Sequence, residues 1–477
     1  MDNKSRTQEL LFNTVIIGIG KFSTQIIGFF FIPIYTSILT TIEYGTYDYL
    51  LAIAGFITPI ITMLMEESMF RFLIDCKTEE ERTGVLSNTI VFCIVSTGIW
   101  CLGIAIVGSI FGMTYLYSFL LYIISVVIVS LRNSLTRGLS KIKLYSLSSF
   151  ATSALVIIFN IILVFVMRLG VYGLLFANIC ANVLSSILTF FYLRKDLNIS
   201  FRACNIDKIK EMILFSLPLV PNSISWNVID TSDRMIISAF LGSHFNGIFS
   251  MAHKFPVIVN SISSFFYTAW KETSAKVLND GNPEEFYNAV YQKYDIFAKS
   301  IVIGVISILP MIFPVMVKNE FIESYAYVPV LLVAIYLANM AGFYGGIFSA
   351  YKNTKIMGTT TALAAAINVA VDLILITQIG LWAAALSTLI SNLYVYVARR
   401  KAVKAYVSLA LDKKADGVLI ALLTVALAMY YSQLGIIYNM VFLALTVCVL
   451  VKLNLSMLLS IPVFEKMYNS VFRKGRK

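Results

Sequence analysis

Unbroken apolar runs of about 20 residues, separated by short polar interruptions, recur along the whole chain. Their spacing predicts about fourteen membrane spans, at 11–38, 47–65, 84–110, 115–131, 145–166, 171–193, 212–241, 247–270, 294–317, 325–350, 356–376, 380–398, 417–431 and 434–459. A bilayer offers no water to the backbone, so a spanning segment is either a helix or a strand of a closed barrel. Barrel strands would show ten-residue strokes of alternating polarity, and these runs do not alternate. The pattern therefore predicts an all-α, polytopic membrane protein. The first run is too long for a signal-peptide core and lacks a small-residue cleavage site, so it reads as a span.

Composition agrees with this reading. The 477 residues are 58% hydrophobic and 13% charged, too few charges to cover a water-facing surface of this size. The net charge of +11 is confined to alternate connections. Roughly thirty lysines and arginines fall at the termini and in the even-numbered loops, whereas the odd-numbered loops carry only Arg168 and Lys318. This asymmetry predicts cytoplasmic termini at both ends and removes any need for a nucleic-acid partner. The connections are too short to hold a soluble domain, so function is expected within the membrane. The six cysteines lack a C-x-x-C spacing and read as small buried hydrophobes.

An internal echo organises the spans. The segment from Ile38 to Tyr47 resembles that from Phe240 to Phe249, with Leu39 and Leu241 each six residues before Gly45 and Gly247. A second echo pairs the basic stretch Arg137–Lys143 with Ser349–Lys355, and both offsets are slightly over 200 residues. The expected architecture is two parallel six-helix bundles related by a pseudo-twofold axis, at 1–205 and 206–405, followed by two extra helices and a basic tail at 406–477. In such repeats the transport path lies between the bundles.

Ionisable groups inside spans are costly and mark candidate sites. In the first span Thr14, Gly18, Lys21, Gln25 and Gly28 share one face. In the seventh, Ser223, Asn227, Asp230 and Arg234 share a face with Asp233 beside it, and Pro218 and Pro221 precede them as candidate kinks. Asp230 and Arg234 have the i,i+4 order of an intrahelical ion pair. Lys254 opens the eighth span, Asp372 lies one turn past Asn368, and Asp295 and Lys299 are spaced as an interfacial pair. Glu66, Glu67 and Arg71 read as a capping and ion-pair cluster. Trp226 and Trp270 fit either an interfacial belt or a sugar-stacking surface. Gly18-Ile19-Gly20-Lys21 is not a phosphate loop, because Val15 and Phe22 occupy positions that need Gly and Ser or Thr. No ATP site, metal cluster or nucleophile triad is visible, so an enzyme is not expected.

The run Phe31-Ile32-Pro33-Ile34-Tyr35 through Glu43-Tyr44-Gly45-Thr46-Tyr47, the run Pro218-Leu219-Val220-Pro221 through Ser232-Asp233-Arg234, and Asn246-Gly247-Ile248-Phe249 into Lys254 together resemble the polysaccharide flippases of the multidrug/oligosaccharidyl-lipid/polysaccharide exporter superfamily. The resemblance covers the whole chain. It implies translocation of O-antigen, capsule or exopolysaccharide repeat units, carried on polyprenyl diphosphate, across a bacterial cytoplasmic membrane by alternating access. Lys21, Arg234 and Lys254 would meet the diphosphate, and Gln25, Ser223 and Asn227 the sugars. Asp230, Asp233 and Asp372 would form ion pairs or couple transport to protons or sodium. No other cofactor and no metal is implied; the partners are the lipid-linked oligosaccharide, the bilayer and other polysaccharide assembly proteins. The competing readings are a cation-coupled drug exporter of the same superfamily and a membrane polymerase or glycosyltransferase.

Overall fold

The computed structural model of the chain describes residues 28–194, 197–200, 204–278 and 283–459. Lys21 and Gln25 lie outside these residues, as does the side chain of Asp230. Among the described residues every regular element is helical: α1 (Ile32–Ile38), α2 (Thr41–Thr62), α3 (Met65–Asp75), α4 (Glu79–Ile110), α5 (Leu116–Gly138), α6 (Ile142–Asn160), α7 (Gly170–Leu193), α8 (Ile206–Ser216), α9 (Leu219–Phe240), α10 (Ser243–Val277), α11 (Pro283–Met316), α12 (Val328–Ala350), α13 (Thr354–Ile379), α14 (Leu381–Val403), α15 (Lys413–Ser432) and α16 (Ile436–Leu459). A π-helical turn at Ile161–Val166 prolongs α6, and a 3₁₀ segment at Asn319–Tyr327 leads into α12. Ten helices among the described residues are long and apolar enough to cross a bilayer, or eleven if α2 and α3 make one bent span. The protein is a multi-pass, all-helical membrane protein.

Local chemistry sets the helix ends. Thr40 opens α2 with a capping box: its hydroxyl accepts from the Glu43 N–H at 3.2 Å, and its own N–H donates to Glu43 Oε2 at 2.9 Å. Thr78, Asn205 and Asp412 cap α4, α8 and α15 in the same sense. Pro218 stands at the break between α8 and α9, where proline removes a backbone donor. The α2–α3 break bends the chain by 52°. There Met63 and Leu64 both take left-handed backbone (φ 49° and 52°), a conformation that costs side-chain-bearing residues about 1–2 kcal/mol each.

The chain divides into two compact units, Met1–Ser250 and Met251–Lys477. Lipid tails are as apolar as leucine, so helices in a membrane associate through close packing and polar ties. Among the described residues, each unit has a buried arginine that ties three helices. In the first unit Arg132 of α5 donates to Thr152 of α6 at 3.0 Å and to Ser185 of α7 at 2.7 Å. In the second, Arg399 of α14 donates to Thr360 and Thr361 of α13 and to the Ala341 carbonyl of α12. The sequence pattern places both arginines just outside spans. They lie inside because α5 and α14 run five to seven residues further than the apolar runs suggest, to Gly138 and Val403.

Apolar packing completes each unit. Met65, Met69, Leu86, Val127 and Met212 form one core in the first unit. In the second, Trp270, Tyr287, Tyr291, Phe343 and Tyr344 form an aromatic core. Trp270 is 3% exposed and donates from its indole nitrogen to the Phe343 carbonyl, so it is a core residue rather than a belt or a stacking surface.

Candidate functional site

A polar junction in the first unit lies where α9 and the first turns of α10 pack on α2. Arg234 of α9 reaches across to Asp48 of α2, with Nε 3.2 Å from Oδ2. The same carboxylate oxygen accepts a hydrogen bond from Ser250 at 2.5 Å. Two turns earlier on α9, Asn227 donates its side-chain amide to the Gly55 carbonyl at 2.9 Å. Asn227 and Arg234 are seven residues apart, so both lie on one helix face, as the sequence pattern requires. Half-buried Ser223 is one further turn back on α9, and Asp233 is buried at 6% exposure.

The two echo segments meet each other at this junction. A Cβ on Gly45 would overlap the Ser243 carbonyl and crowd the Gly247 nitrogen, and a Cβ on Gly247 would overlap the Thr41 carbonyl. Thr41 and Ser243, Gly45 and Gly247, and Asp48 and Ser250 are all separated by one offset of 202 residues. The contact is therefore reciprocal: each glycine receives a carbonyl from one turn earlier on the other helix. Glycine at both positions lets the two backbones approach, as small residues do at membrane helix crossings. Asn246 donates to the Gly45 carbonyl at 2.8 Å, and Thr41 Oγ1 is 2.6 Å from His244 Nδ1.

Of the remaining sequence candidates, Lys254, Asp295, Lys299 and Asp372 fall in the second unit and Glu66, Glu67 and Arg71 in the first. Lys254 is half-buried on α10. Asp372 on α13 is fully buried, one turn from Asn368, whose amide donates to Ser387 of α14 at 3.1 Å. Lys299 pairs with Asp295 at 2.6 Å as its spacing predicts, and it also binds Asp416 of α15. Glu67 pairs with Arg137 at 2.7 Å and Arg71 with Asp75 at 2.6 Å, while Glu66 is buried and accepts from Ser130. Asp48 is the participant that the pattern hides. It sits at the second position of its apolar run, where it reads as an end residue, and its partner is about 190 residues away in sequence.

This junction of guanidinium, carboxylate, amides and hydroxyls belongs to a chain whose residues 10–270 match the family described as polysaccharide biosynthesis protein. The chain belongs to that family. Among solved structures, this family member shares its fold with the lipid II flippase MurJ in an inward closed conformation, at 15% identity and a TM-score of 0.71, over 96% of this chain and 99% of that one. It is also similar to an inward-facing multidrug resistance MATE transporter of the MOP superfamily, at 14% identity, a TM-score of 0.62 and coverage of 80% and 98%. A MOP superfamily transporter from Pyrococcus furiosus matches at 15% identity and a TM-score of 0.54, covering 82% of this chain and 94% of its own. These likenesses show that the chain shares the fold of those proteins. No curated protein matches the chain by sequence.

Proposed function

We propose that the protein flips polyprenyl-diphosphate-linked oligosaccharide repeat units across the bacterial cytoplasmic membrane for surface polysaccharide assembly. The observation that carries this reading is the fold shared almost end to end with a lipid-linked flippase, in a member of a polysaccharide biosynthesis family. The bundles are 1–205 and 206–405, with 406–477 appended and both termini cytoplasmic. Other proteins of polysaccharide assembly are the expected partners.

A diphosphate brings charge that lipid does not tolerate, so its carrier must supply fixed cations. Lys21, Arg234 and Lys254 take that role. Gln25, Ser223 and Asn227 offer amides and hydroxyls to the sugars, and the prenyl tail stays in lipid. Arg234 is partly neutralised by Asp48, which lowers its net pull on an anion and favours release after crossing. The reciprocal glycine contact serves as a gate: it is made of backbone and few side-chain bonds, so it parts without breaking an apolar core. Asp230, Asp233 and Asp372 either pair with neighbouring cations or couple the cycle to protons or sodium.

The test deletes the gene in its host and extracts lipid-linked oligosaccharide, with complementation by wild type, Lys21→Ala and Arg234→Ala after their membrane expression is confirmed. Accumulation of complete repeat units on the cytoplasmic leaflet, rescued by wild type and not by the variants, is the expected result. Unchanged lipid-linked pools with increased drug sensitivity would establish an exporter instead.

A further inference from the structure

Next to the Lys299 cluster, the second unit holds a cavity of about 290 Å³ bounded by α11, α12, α14 and α15. A second cavity of about 390 Å³ lies beside it, and the two share Tyr396 and Arg400. Their linings differ in kind. The larger is ringed by Arg400, Lys401 and Lys404 of the α14 end. The smaller is walled by Ile303, Leu337, Leu419 and Leu423.

These linings are ordered by depth. α14 has 23 residues, about 35 Å of helix, so its last turn reaches headgroup level in a hydrocarbon layer of about 30 Å. Arg400, Lys401 and Lys404 lie in or just beyond that turn. Asp416, in the first turn of α15, marks the same level. Each helix then turns apolar towards the bilayer centre: Lys299 gives way to Ile303 on α11, Asp416 to Leu419 and Leu423 on α15, and Arg400 to Tyr396 on α14.

The charges are equally sorted. Lys299 is held by Asp295 and Asp416, and Asp295 also accepts from Tyr336 at 2.6 Å, so this group closes the wall on itself. Arg399 points inward to its threonines and the Ala341 carbonyl. Among the described residues no ion pair involves Arg400, Lys401 or Lys404; Arg400 donates to the Tyr396 hydroxyl at 3.2 Å and lies 5.8 Å from the centre of that ring.

We propose that these joined cavities bind an anionic phospholipid, with its phosphate on Arg400, Lys401 and Lys404 and one acyl chain in the slot between α11, α12 and α15. Three cations that no carboxylate pairs, with Asp416 of the smaller cavity already held by Lys299, select an anionic head over a zwitterionic one. The apolar slot below them requires a chain, which a free phosphate lacks. This site is independent of the transport reading and depends only on the chain's being a membrane protein.

The test uses the purified full-length protein, stripped of lipid in detergent. It is titrated with phosphatidylglycerol, phosphatidylcholine of the same chains, inorganic phosphate, or a polyprenyl diphosphate, and bound lipid is read by native mass spectrometry and melting temperature. Phosphatidylglycerol should add mass and raise the Tm where phosphatidylcholine and inorganic phosphate do not, and polyprenyl diphosphate, whose proposed cations lie elsewhere, should leave phosphatidylglycerol bound. Replacing Arg400, Lys401 and Lys404 together by Gln should weaken that binding roughly a hundredfold, at about 1 kcal/mol per charge. Leu423→Trp, which fills the slot and leaves the charges, should weaken it about tenfold. Equal binding of the two phospholipids, an equal effect of phosphate, or wild-type binding by both variants would overturn the proposal. Displacement of phosphatidylglycerol by equimolar polyprenyl diphosphate would overturn it in favour of a cargo site.

Discussion

Asp48 and Arg234 form a partly buried ion pair in which each group solvates the other. Removing one partner of such a pair leaves a charge unmatched and costs roughly 3–5 kcal/mol, whereas neutralising both is far milder. Arg234→Ala should therefore lower the melting temperature in detergent, and Asp48→Asn/Arg234→Gln should recover most of it. If Arg234 also meets the diphosphate, the double variant stays transport-defective despite its recovered stability. Recovery of both properties would make the pair a purely structural lock. Arg132 makes a second residue-scale case. Ser185→Ala strips a hydrogen bond from a buried guanidinium and should destabilise the first unit by about 1–3 kcal/mol, read as a lower denaturation midpoint.

Helices expose what sequence periodicity can and cannot show. Among the described residues, ten helices long and apolar enough to cross a bilayer follow ten of the fourteen apolar runs, because a bilayer imposes length and composition on each span. Span ends do not, because a charge near an end reads as a loop whether or not the helix continues; Arg132 and Arg399 are buried ties for this reason. Proline signalled the α8–α9 break at Pro218. The α2–α3 break falls at Met63 and Leu64, with Pro59 one turn earlier in α2 and no glycine at the bend. Met63→Gly, at an exposed side chain, should relieve left-handed strain in excess of glycine's unfolded-state entropy and raise stability by up to about 1 kcal/mol, and Met63→Val should lower it. The Gly45 and Gly247 echo was legible as sequence, but the direct contact between its two copies was not, since a repeat implies symmetry and says nothing about touching. Gly247→Ala would drive a Cβ into the Thr41 carbonyl, so it should cost about 1–3 kcal/mol by thermal denaturation in detergent.

At the scale of the whole molecule, the chain is a multi-pass member of a polysaccharide biosynthesis family with the fold of a lipid II flippase, and the proposed transport of a charged, sugar-bearing lipid would draw on the polar junction of α2 and α9. The candidate site was legible where a polar face interrupts an apolar helix, as with Asn227 and Arg234. Asp48 was not, since its role exists only once two distant helices pack. The most direct test is reconstitution of the purified protein in vesicles carrying a fluorescent polyprenyl-diphosphate oligosaccharide in one leaflet. A membrane-impermeant quencher then reports its arrival in the other. Wild type should move the lipid far faster than protein-free vesicles, and Arg234→Ala should not. Transfer no faster than in protein-free vesicles, by protein that is folded and correctly inserted, would contradict a flippase.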